Sequence, residues 1–301
     1  MTLQQLRQVL TIAESNSMNE AAKKLFVSQP NLSATVREVE EELGITVFMR
    51  NNRGITVTAE GEEFLGYAKQ VVEQYHLLEN RYLNVESKKK FSVSMQHYSF
   101  AVKAFVQLAK EVGMDEYEFA VHETKTKEVI DNVKNLKSEI GVLYLSDFNE
   151  KVLRKLFQEC DIEFKELFTC NTYVYLWKKH PLAGQKEITL DDLQEYPCLT
   201  FEQGVNNSFY YAEEMMSTYE YKRVIKADDR ATMLNLMVGL NGFTLCSGII
   251  SEDLNGDDYA AIPLKESEIM HIGYIKHKGT KLSKLGEIYI DALKNYENKV
   301  L

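Results

Sequence analysis

Apolar residues recur at helical spacing three times in the first 45 residues of the chain. Residues 3–15, 18–25 and 29–43 each present one apolar face, which predicts three short helices. In the third helix the spacings are four, three and four, at Leu32, Val36, Val39 and Leu43. Ser28 is a suitable N-cap for that helix and Gly44 a suitable terminator. The pattern predicts a helix-turn-helix.

Two β-rich segments follow the third helix and predict a hairpin. Residues 47–50 and 55–58 flank the turn 51–54, whose sequence is Asn-Asn-Arg-Gly. A hairpin beside a helix-turn-helix forms a wing that can contact phosphate. The start and polar face of the third helix, the basic wing positions and one lysine of the second helix therefore give the candidate DNA-binding residues: Lys23, Ser28, Gln29, Pro30, Asn31, Ser33, Arg37, Arg50 and Arg53.

The order of residues in this region resembles a known family. The stretches S-M-N-E-A-A-K-K-L-F-V-S-Q-P-N-L-S, E-E-E-L-G-I-T-V-F-M-R and T-V-T-A-E-G are similar to the N-terminal domain of LysR-type bacterial transcriptional regulators. Family members often carry a basic residue just after the serine that matches Ser33, whereas Ala34 and Thr35 stand there in this chain. The resemblance implies that residues 1–58 form a winged helix-turn-helix that binds double-stranded DNA.

A long helix is expected after the wing, and it is assigned with its hinge to residues 59–90. Its apolar residues alternate spacings of four and three, at Phe64, Ala68, Val71, Tyr75, Leu78, Tyr82 and Val85. This seam fits packing on the helix's own domain, but its length favours pairing with a second copy of the chain. In LysR-type proteins the matching linker helix makes the dimer, so the resemblance implies a homodimer or a dimer of dimers.

Strands and helices alternate in the rest of the chain, which predicts an α/β domain with mostly parallel strands. The first unit is expected from alternating strands and helices at 91–95, 99–112, 117–123, 126–136, 139–145, 149–160 and 162–168. The second unit is expected from strands at 172–177, 198–201, 223–227 and 243–247, with helices from Ser208 and over 228–240. A strand at 268–277 and a helix at 283–296 are expected to return to the first unit.

Three later stretches extend the resemblance: K-K-H-P-L-A from Lys178, L-D-D-L-Q-E-Y-P-C-L-T-F from Leu190 and G-L-N-G-F-T-L-C-S-G-I-I from Gly239. They are similar to LysR-type effector domains, which resemble periplasmic solute-binding proteins with a ligand cleft between two α/β subdomains. The resemblance implies an effector-binding domain in residues 91–301. Its subdomains are expected at about 91–163 with 267–301, and at about 164–266.

Ligands of open α/β sheets bind outside the carboxyl ends of the strands, where helix N-termini offer unpaired N–H groups. The candidate effector contacts are therefore His97, Ser99, Thr124, Thr200, Phe201, Glu202, Gln203 and Ser247. Ser99 and Thr200 are equally suited to capping a helix and a turn, and a single histidine such as His97 is more often an ordinary loop residue. Glu202 suggests an effector with a donor or a positive group.

The net charge of −10, from 35 basic and 45 acidic residues, alters the expectation for DNA binding. Residues 1–90 carry 11 basic and 12 acidic residues, so the predicted DNA-binding part is close to neutral. Attraction to phosphate must then come from locally placed cations. The candidates are Arg7, Lys23, Lys24, Arg37, Arg50 and Arg53. With so few cations, we expect binding to need a dimer and two half-sites.

Signals for membranes, catalysis and cofactors are missing from the sequence. No run of about 18 uninterrupted apolar residues occurs, and the polar N-terminus does not read as a signal peptide. We therefore expect a cytoplasmic protein without a membrane partner. The six histidines are scattered, and no nucleophile elbow, phosphate loop or zinc-protease motif is present. We expect no catalytic site, no metal and no cofactor.

The four cysteines leave one alternative open. Cys160, Cys170, Cys198 and Cys246 lack metal-ligand spacing and are expected to be reduced and buried. A redox switch between Cys160 and Cys170 is an alternative, because some LysR-type regulators sense oxidants through a cysteine pair. A further alternative is a cytoplasmic small-molecule sensor whose N-terminal domain contacts a protein.

The sequence favours a sequence-specific DNA-binding transcriptional regulator. Its oligomer arrangement is expected to respond to a small-molecule effector in the C-terminal cleft, which requires only that the effector bind one arrangement better than the other. RNA polymerase is a further candidate partner.

Overall fold

The computed structural model describes residues 1–15, 17–51, 54–82, 88–113, 116–206, 208–250, 254 and 256–296. The chain divides into two compact units, residues 1–87 and residues 88–301. Of the helices described, none combines the length and the apolar character needed to cross a bilayer.

The first unit is a helix-turn-helix with a two-stranded wing and a long final helix. Its elements are α1 (Leu3–Ala13), α2 (Met18–Lys24), α3 (Gln29–Leu43), β1 (Phe48–Asn51), β2 (Gly54–Val57) and α4 (Ala59–Tyr82). Thr2, Ser17 and Ser28 each accept a hydrogen bond from the backbone N–H three residues further on, which caps α1, α2 and α3. Gly44 ends α3 at φ 70°, which glycine adopts without strain. The predicted helix-turn-helix and hairpin are confirmed.

An apolar core joins the helices of this unit to the wing. Ile12, Leu32 and Val47 are fully buried within it. The side chain of Glu40 accepts the backbone N–H groups of Val47 and Phe48 through one carboxylate oxygen, at 2.7 and 3.0 Å. Hydrogen bonds to a charged acceptor are stronger than neutral ones. Glu40 thus fixes the start of the wing relative to α3.

The apolar residues of α4 divide between a buried and an exposed face. Ala68 and Val72 are buried in a cluster with Leu6 of α1, and Phe64 packs against the same cluster. Ala68 is only 2% exposed. It therefore contacts its own unit, which corrects the expectation that it pairs with a second copy. The physical reason is that α1 also carries an apolar face that must be covered.

The next three positions of the predicted seam face solvent. Val71, Tyr75 and Leu78 are 51%, 38% and 55% exposed. The side chain of Tyr82 and the whole of Val85 lie outside the described residues. Pairing with a second copy can therefore be argued only for the middle part of the seam.

The second unit contains ten strands and five α-helices among its described residues. They are β3 (Lys89–Met95), α5 (Ser99–Val112), β4 (Tyr117–Glu123), α6 (Thr126–Lys134), β5 (Ile140–Leu145), α7 (Glu150–Glu159), β6 (Ile162–Cys170), β7 (Tyr173–Trp177), β8 (Cys198–Phe201), β9 (Val224–Ala227), α8 (Arg230–Leu240), β10 (Thr244–Cys246), β11 (Tyr259–Pro263), β12 (Met270–His277) and α9 (Lys284–Lys294). The alternation of strands and helices is as predicted, which confirms the α/β class.

A five-stranded sheet has the order β4-β3-β5-β12-β6. Strand β3 is parallel to β4 and β5, whereas β12 is antiparallel to β5 and β6. Strands β3, β4, β5 and β6 therefore run in one direction, as expected, and β12 alone runs against them. Strand β12 enters from the far end of the chain, and a hydrophobic pattern does not encode strand direction. Helix α9 also returns to this part, where Tyr289 Oη donates to the carbonyl of Ala101 at 3.1 Å.

Residues 172–264 form the smaller part of the second unit. Strand β7 lies between β10 and β11 in an antiparallel sheet, and β8 pairs with β9 in parallel. Strand β11 was not predicted, because its five residues lack an alternating pattern. The helix predicted from Ser208 is wrong, since the segment forms only a 3₁₀ turn at Phe209–Tyr211.

Carbonyl groups at the end of that turn accept hydrogen bonds from side chains in the part of the second unit that contains the five-stranded sheet. Thr126 Oγ1 donates to the carbonyl of Tyr211 at 2.7 Å, and Tyr144 Oη donates to the carbonyl of Ala212 at 3.1 Å. These carbonyls are then satisfied without the intrahelical bonds of a helix. The segment is held near the carboxyl ends of β4 and β5 instead.

Candidate functional site

The exposed face of α3 carries three of the predicted DNA-binding side chains. Gln29 Nε2 donates to Ser33 Oγ at 2.7 Å, so two polar groups one turn apart form a joint surface. Arg37 lies one turn further along and is exposed, and Pro30 and Asn31 are exposed in the first turn. Amide, hydroxyl and guanidinium groups thus follow one side of the helix. Such groups are suited to base edges and phosphates.

The other predicted DNA contacts have separate positions. Ser28 Oγ caps α3 by accepting from the N–H of Asn31 at 3.4 Å. Lys23 is exposed at the end of α2 and lines a shallow surface cleft together with Gln29. The side chain of Arg50 and the whole of Arg53 lie outside the described residues, so phosphate contact by the wing stays a prediction.

Two cations that we expected to attract phosphate are engaged within the first unit. The guanidinium group of Arg7 lies 3.4 Å from Glu79 and 5.3 Å from the ring centroid of Tyr75, at the junction of α1 and α4. Lys24 Nζ lies 2.9 Å from Glu20. Both pairs are partly exposed and contribute little stability, but they lower the positive charge available to DNA.

Sequence reasoning missed an exposed aromatic residue in the turn before α3. Phe26 is 96% exposed. Its backbone φ is 54°, a conformation that is strained for a bulky residue. It lines the same shallow cleft as Lys23 and Gln29.

A cavity lies within the second unit at the carboxyl ends of several strands. Its empty space is about 750 Å³, a volume that includes open solvent at its mouth. His97 and Ser99 follow β3, Phe201 ends β8, and Ser247 follows β10. All four line the cavity. The structure therefore brings together half of the predicted effector contacts.

The other half do not line this cavity: Thr124, Thr200, Glu202 and Gln203. Thr124 Oγ1 donates to Glu128, and Glu202 accepts from the N–H of Gly204 at 2.9 Å. Successive side chains of a strand point to opposite faces, so Phe201 faces the cavity and Thr200 does not. Gln203 is buried and is bonded to Thr126 and Glu213. Glu202 therefore does not indicate an effector with a donor or a positive group.

A buried glutamate that we did not predict holds one wall of the cavity. Glu213 Oε2 accepts from the backbone N–H of His97 at 2.9 Å and lies 2.8 Å from His97 Nδ1, while Glu213 Oε1 accepts from Gln203 Nε2 at 2.9 Å. The His97 ring stacks on Phe201 with centroids 3.6 Å apart. The side chains of His97 and Glu213 are only 7% and 4% exposed. His97 is thus a fixed part of the wall.

The neighbouring Glu214 is also buried and lines the same cavity. It is 5% exposed, and its Oε1 accepts from the N–H of Phe201 at 2.8 Å. Burial, and then the charge of Glu213, raises the pKa of Glu214 to about 8. Its carboxyl group is therefore mainly protonated at neutral pH. The sequence contained a signal for this burial, because the acidic pair 213–214 stands between the aromatic pair 210–211 and the methionine pair 215–216.

The arrangement of the described residues does not allow a disulfide between Cys160 and Cys170. Cys160 precedes the first residue of β6 and Cys170 is the last residue of that strand. Nine residues in a strand place its ends roughly 25 Å apart, whereas a disulfide needs Cα atoms within about 7 Å. Burial also raises the pKa of both thiols, that of Cys170 to about 12. Of the four cysteines expected to be buried, Cys160, Cys170 and Cys198 are buried and Cys246 is half-buried.

The raised pKa of Glu214 predicts a pH dependence of stability. The folded state retains a proton that the unfolded state, with an ordinary glutamate pKa near 4.5, has lost. The stabilising contribution is therefore complete below pH 4.5 and is lost as the pH rises through about 8. Relative to Glu214→Gln, the wild type should lose free energy of unfolding between these values, by at most about 1.4 kcal/mol per pH unit.

Urea unfolding can measure this difference, because the single tryptophan, Trp177, reports on the second unit. Glu202→Gln is the matched control, as it removes a carboxyl group that does not line the cavity. Its stability should follow the wild-type pH profile. Parallel profiles for wild type and Glu214→Gln would contradict the assignment.

Comparisons with known proteins agree with this architecture. The family model described as "Bacterial regulatory helix-turn-helix protein, lysR family" matches residues 3–62, and the model described as "LysR substrate binding domain" matches residues 114–297. A similar protein is the HTH-type transcriptional regulator CysL of Bacillus subtilis, 25% identical over 309 residues, with 98% of each chain covered.

Two solved structures share the fold at low identity. A full-length OxyR variant from Pseudomonas aeruginosa gives a TM-score of 0.71 at 19% identity, with 98% of this chain and 95% of that chain covered. Full-length CbnR in complex with its target DNA, described as a LysR family transcriptional regulator, gives a TM-score of 0.60 at 16% identity and covers 98% and 99%. The family matches extend over well more than half of the residues: this chain belongs to the LysR family of bacterial transcriptional regulators, with a DNA-binding helix-turn-helix and an effector-binding domain.

Proposed function

We propose that this regulator reads its operator with the face of α3 that carries Gln29, Ser33 and Arg37. The supporting observation is their alignment, since the three side chains recur at every fourth residue and the bond from Gln29 to Ser33 orients the first two. The wing, β1 and β2, is proposed to contact the backbone of the same half-site. The chain acts by binding and not by catalysis, as the names of its relatives as transcriptional regulators support.

The regulator works as a homodimer, or as a dimer of dimers, paired through α4. Val71, Tyr75 and Leu78 form the exposed part of an apolar seam with a 3.5-residue period. A monomer whose DNA-binding part is nearly neutral has few cations to offer, and two copies double them. Two copies also present two recognition helices to two half-sites.

The cavity of the second unit is the effector site. It is concave, mostly apolar and placed at strand ends, as small-molecule sites in α/β proteins are. An effector that binds one arrangement of the dimers better than the other shifts the regulator between them. This function belongs in the cytoplasm, with RNA polymerase as a partner at the promoter. The domain limits 1–58, 59–90 and 91–301 remain part of the proposal.

Removing the guanidinium group of Arg37 should weaken operator binding. We expect Arg37→Ala to lower affinity severalfold, because a phosphate or base contact is lost. Arg37 is exposed on α3, so the thermal unfolding temperature should not change. The measurement is a gel-shift titration at matched salt. Affinity equal to that of the wild type would count against this docking of α3.

A charge at Leu78 should separate the paired helices. Leu78→Glu would place a carboxylate in an apolar interface, whereas Leu77→Glu makes the same change at a leucine of similar exposure, 59% against 55%, outside the seam. Sedimentation velocity should find monomer for Leu78→Glu and the wild-type oligomer for Leu77→Glu. An intact oligomer in both variants would remove the seam from the proposal.

A further inference from the structure

The basic side chains that line the effector cavity, His97 and Arg230, already have carboxylate partners. His97 Nδ1 lies 2.8 Å from Glu213 Oε2, and the guanidinium group of Arg230 is paired with Glu123. Glu214 differs, because no cationic side chain of the described residues lies within 4 Å of its carboxyl group. A buried carboxyl group normally has a counter-charge or remains neutral at a cost. Among the described residues, the cavity is thus left with one acidic group that has no counter-charge.

The positive end of α5 is also occupied. Ser99 starts this helix beside the cavity, and a helix N-terminus commonly attracts an anionic ligand. Here Glu213 Oε2 accepts from the N–H of His97, two residues before Ser99, at 2.9 Å. A carboxylate of the protein therefore already faces this end of the helix. A second anion, supplied by an effector, would have to approach both Glu213 and Glu214.

The remaining lining suits an apolar molecule with a cationic end. The rings of Tyr98, Phe100 and Phe201 line the cavity together with Met233 and Met237. Aromatic faces attract cations in places shielded from water. The hydroxyl oxygen of Thr244 is buried in this lining, and it has no hydrogen-bond partner among the residues described. It is available to accept a hydrogen bond from a ligand.

We propose that the effector is a small organic cation, with an apolar body and an ammonium group that is bound by the carboxylate of Glu214. This inference rests on the proposed function of the cavity as the effector site. It names a class of ligand, amines of the size of a single ring or a short chain.

Binding of such a cation is linked to one proton. The ammonium group keeps its protons, and Glu214, which is protonated in the empty cavity at neutral pH, releases its proton to solvent. The titratable groups that act on Glu214 or are affected by it are Glu213, Tyr98, Tyr144, Tyr221 and Cys198. Burial raises the pKa of these three phenols and of the thiol, so they stay neutral and do not supply the proton. His97 and Arg230 are held by Glu213 and Glu123.

The test compares head groups on identical bodies. Benzylamine and hexylamine are titrated into the full-length protein at pH 7 by calorimetry, with benzoate and hexanoate as the matched anions. Two buffers of different ionisation enthalpy give the number of protons released. We expect the amines to bind in preference to the carboxylates, with release of about one proton per amine.

Glu214→Gln provides the matched variant, since the amide oxygen can still accept from the N–H of Phe201 but carries no charge. It should weaken amine binding about tenfold or more, while Glu202→Gln should not change it. Preference for the carboxylates, absence of amine binding, or wild-type binding by Glu214→Gln would overturn the proposal. The proton count on the wild type does not depend on the folding of any variant.

DNA retention by the same preparations distinguishes a wrong effector class from a wrong proposed function. A protein that retains DNA but ignores amines contradicts only the assignment of the effector class. A protein that retains no DNA contradicts the proposed function.

A second, independent observation concerns Phe26. An apolar ring that is 96% exposed gains nothing from burial, and φ 54° is a conformation that glycine or asparagine adopts with less strain. The residue therefore does not stabilise the isolated unit. It stands in the turn that leads into α3, beside Lys23 and Gln29.

We infer that Phe26 contacts a thymine methyl group of the operator. Apolar side chains read that methyl group in the major groove, where it is the only apolar feature of a base edge. Phe26 would enter the major groove together with the first turn of α3. Gln29, in that turn, is the neighbouring residue proposed to contact a base. The contact adds specificity to a surface with few cations.

Replacing single thymines by uracil removes only the methyl group. On a DNA fragment that the wild type binds, we expect one or two such replacements to weaken wild-type binding severalfold and to leave Phe26→Asn unaffected. Asparagine is chosen because it tolerates positive φ, so thermal stability should be retained. Wild-type affinity of Phe26→Asn, or equal sensitivity of both proteins at every thymine, would overturn the inference.

Discussion

The hydrogen-bonded carboxylate of Glu213 is the constraint on which the effector-binding unit depends. A buried charge must find several donors, and Glu213 finds them in His97 and Gln203. These bonds fix the segment around Glu213 to the loop that follows β3. Bonds from Thr126 and Tyr144 to neighbouring carbonyl groups hold the same segment at the ends of β4 and β5. One charged group thus connects the smaller part of the unit to the larger sheet.

The same constraint sets the chemistry of the cavity. Because Glu213 engages Nδ1 of His97 and Phe201 stacks on its ring, the side chain of His97 is fixed in the cavity wall. Because Glu213 lies beside Glu214, it adds to the effect of burial and raises the pKa of Glu214. The result is a neutral carboxyl group among aromatic and methionine side chains. Such a group becomes charged most easily when a cation arrives, which connects the fold to a class of effector.

Local sequence patterns were sufficient to predict the elements of the first unit and most elements of the second. The helical spacing at Leu32, Val36 and Val39 identified α3, and the cap at Ser28 is used as predicted. The sequence could not reveal that Ala68 is covered by α1, since one apolar seam fits both inward and outward packing. It also could not reveal the extended course of the chain after Tyr211, which depends on donors distant in sequence. Strand ends located His97, Ser99, Phe201 and Ser247, while Glu213 and Glu214 were missed because their burial is a tertiary effect.

The central claim is that the first unit binds specific DNA through a small set of phosphate and base contacts. The most direct measurement is retention of a pool of genomic fragments by the full-length protein at two salt concentrations. The account predicts that a few fragments are retained, and that their affinity falls linearly with the logarithm of salt concentration as counterions are released. Retention of no fragment at low salt, or retention that does not change with salt, would contradict it.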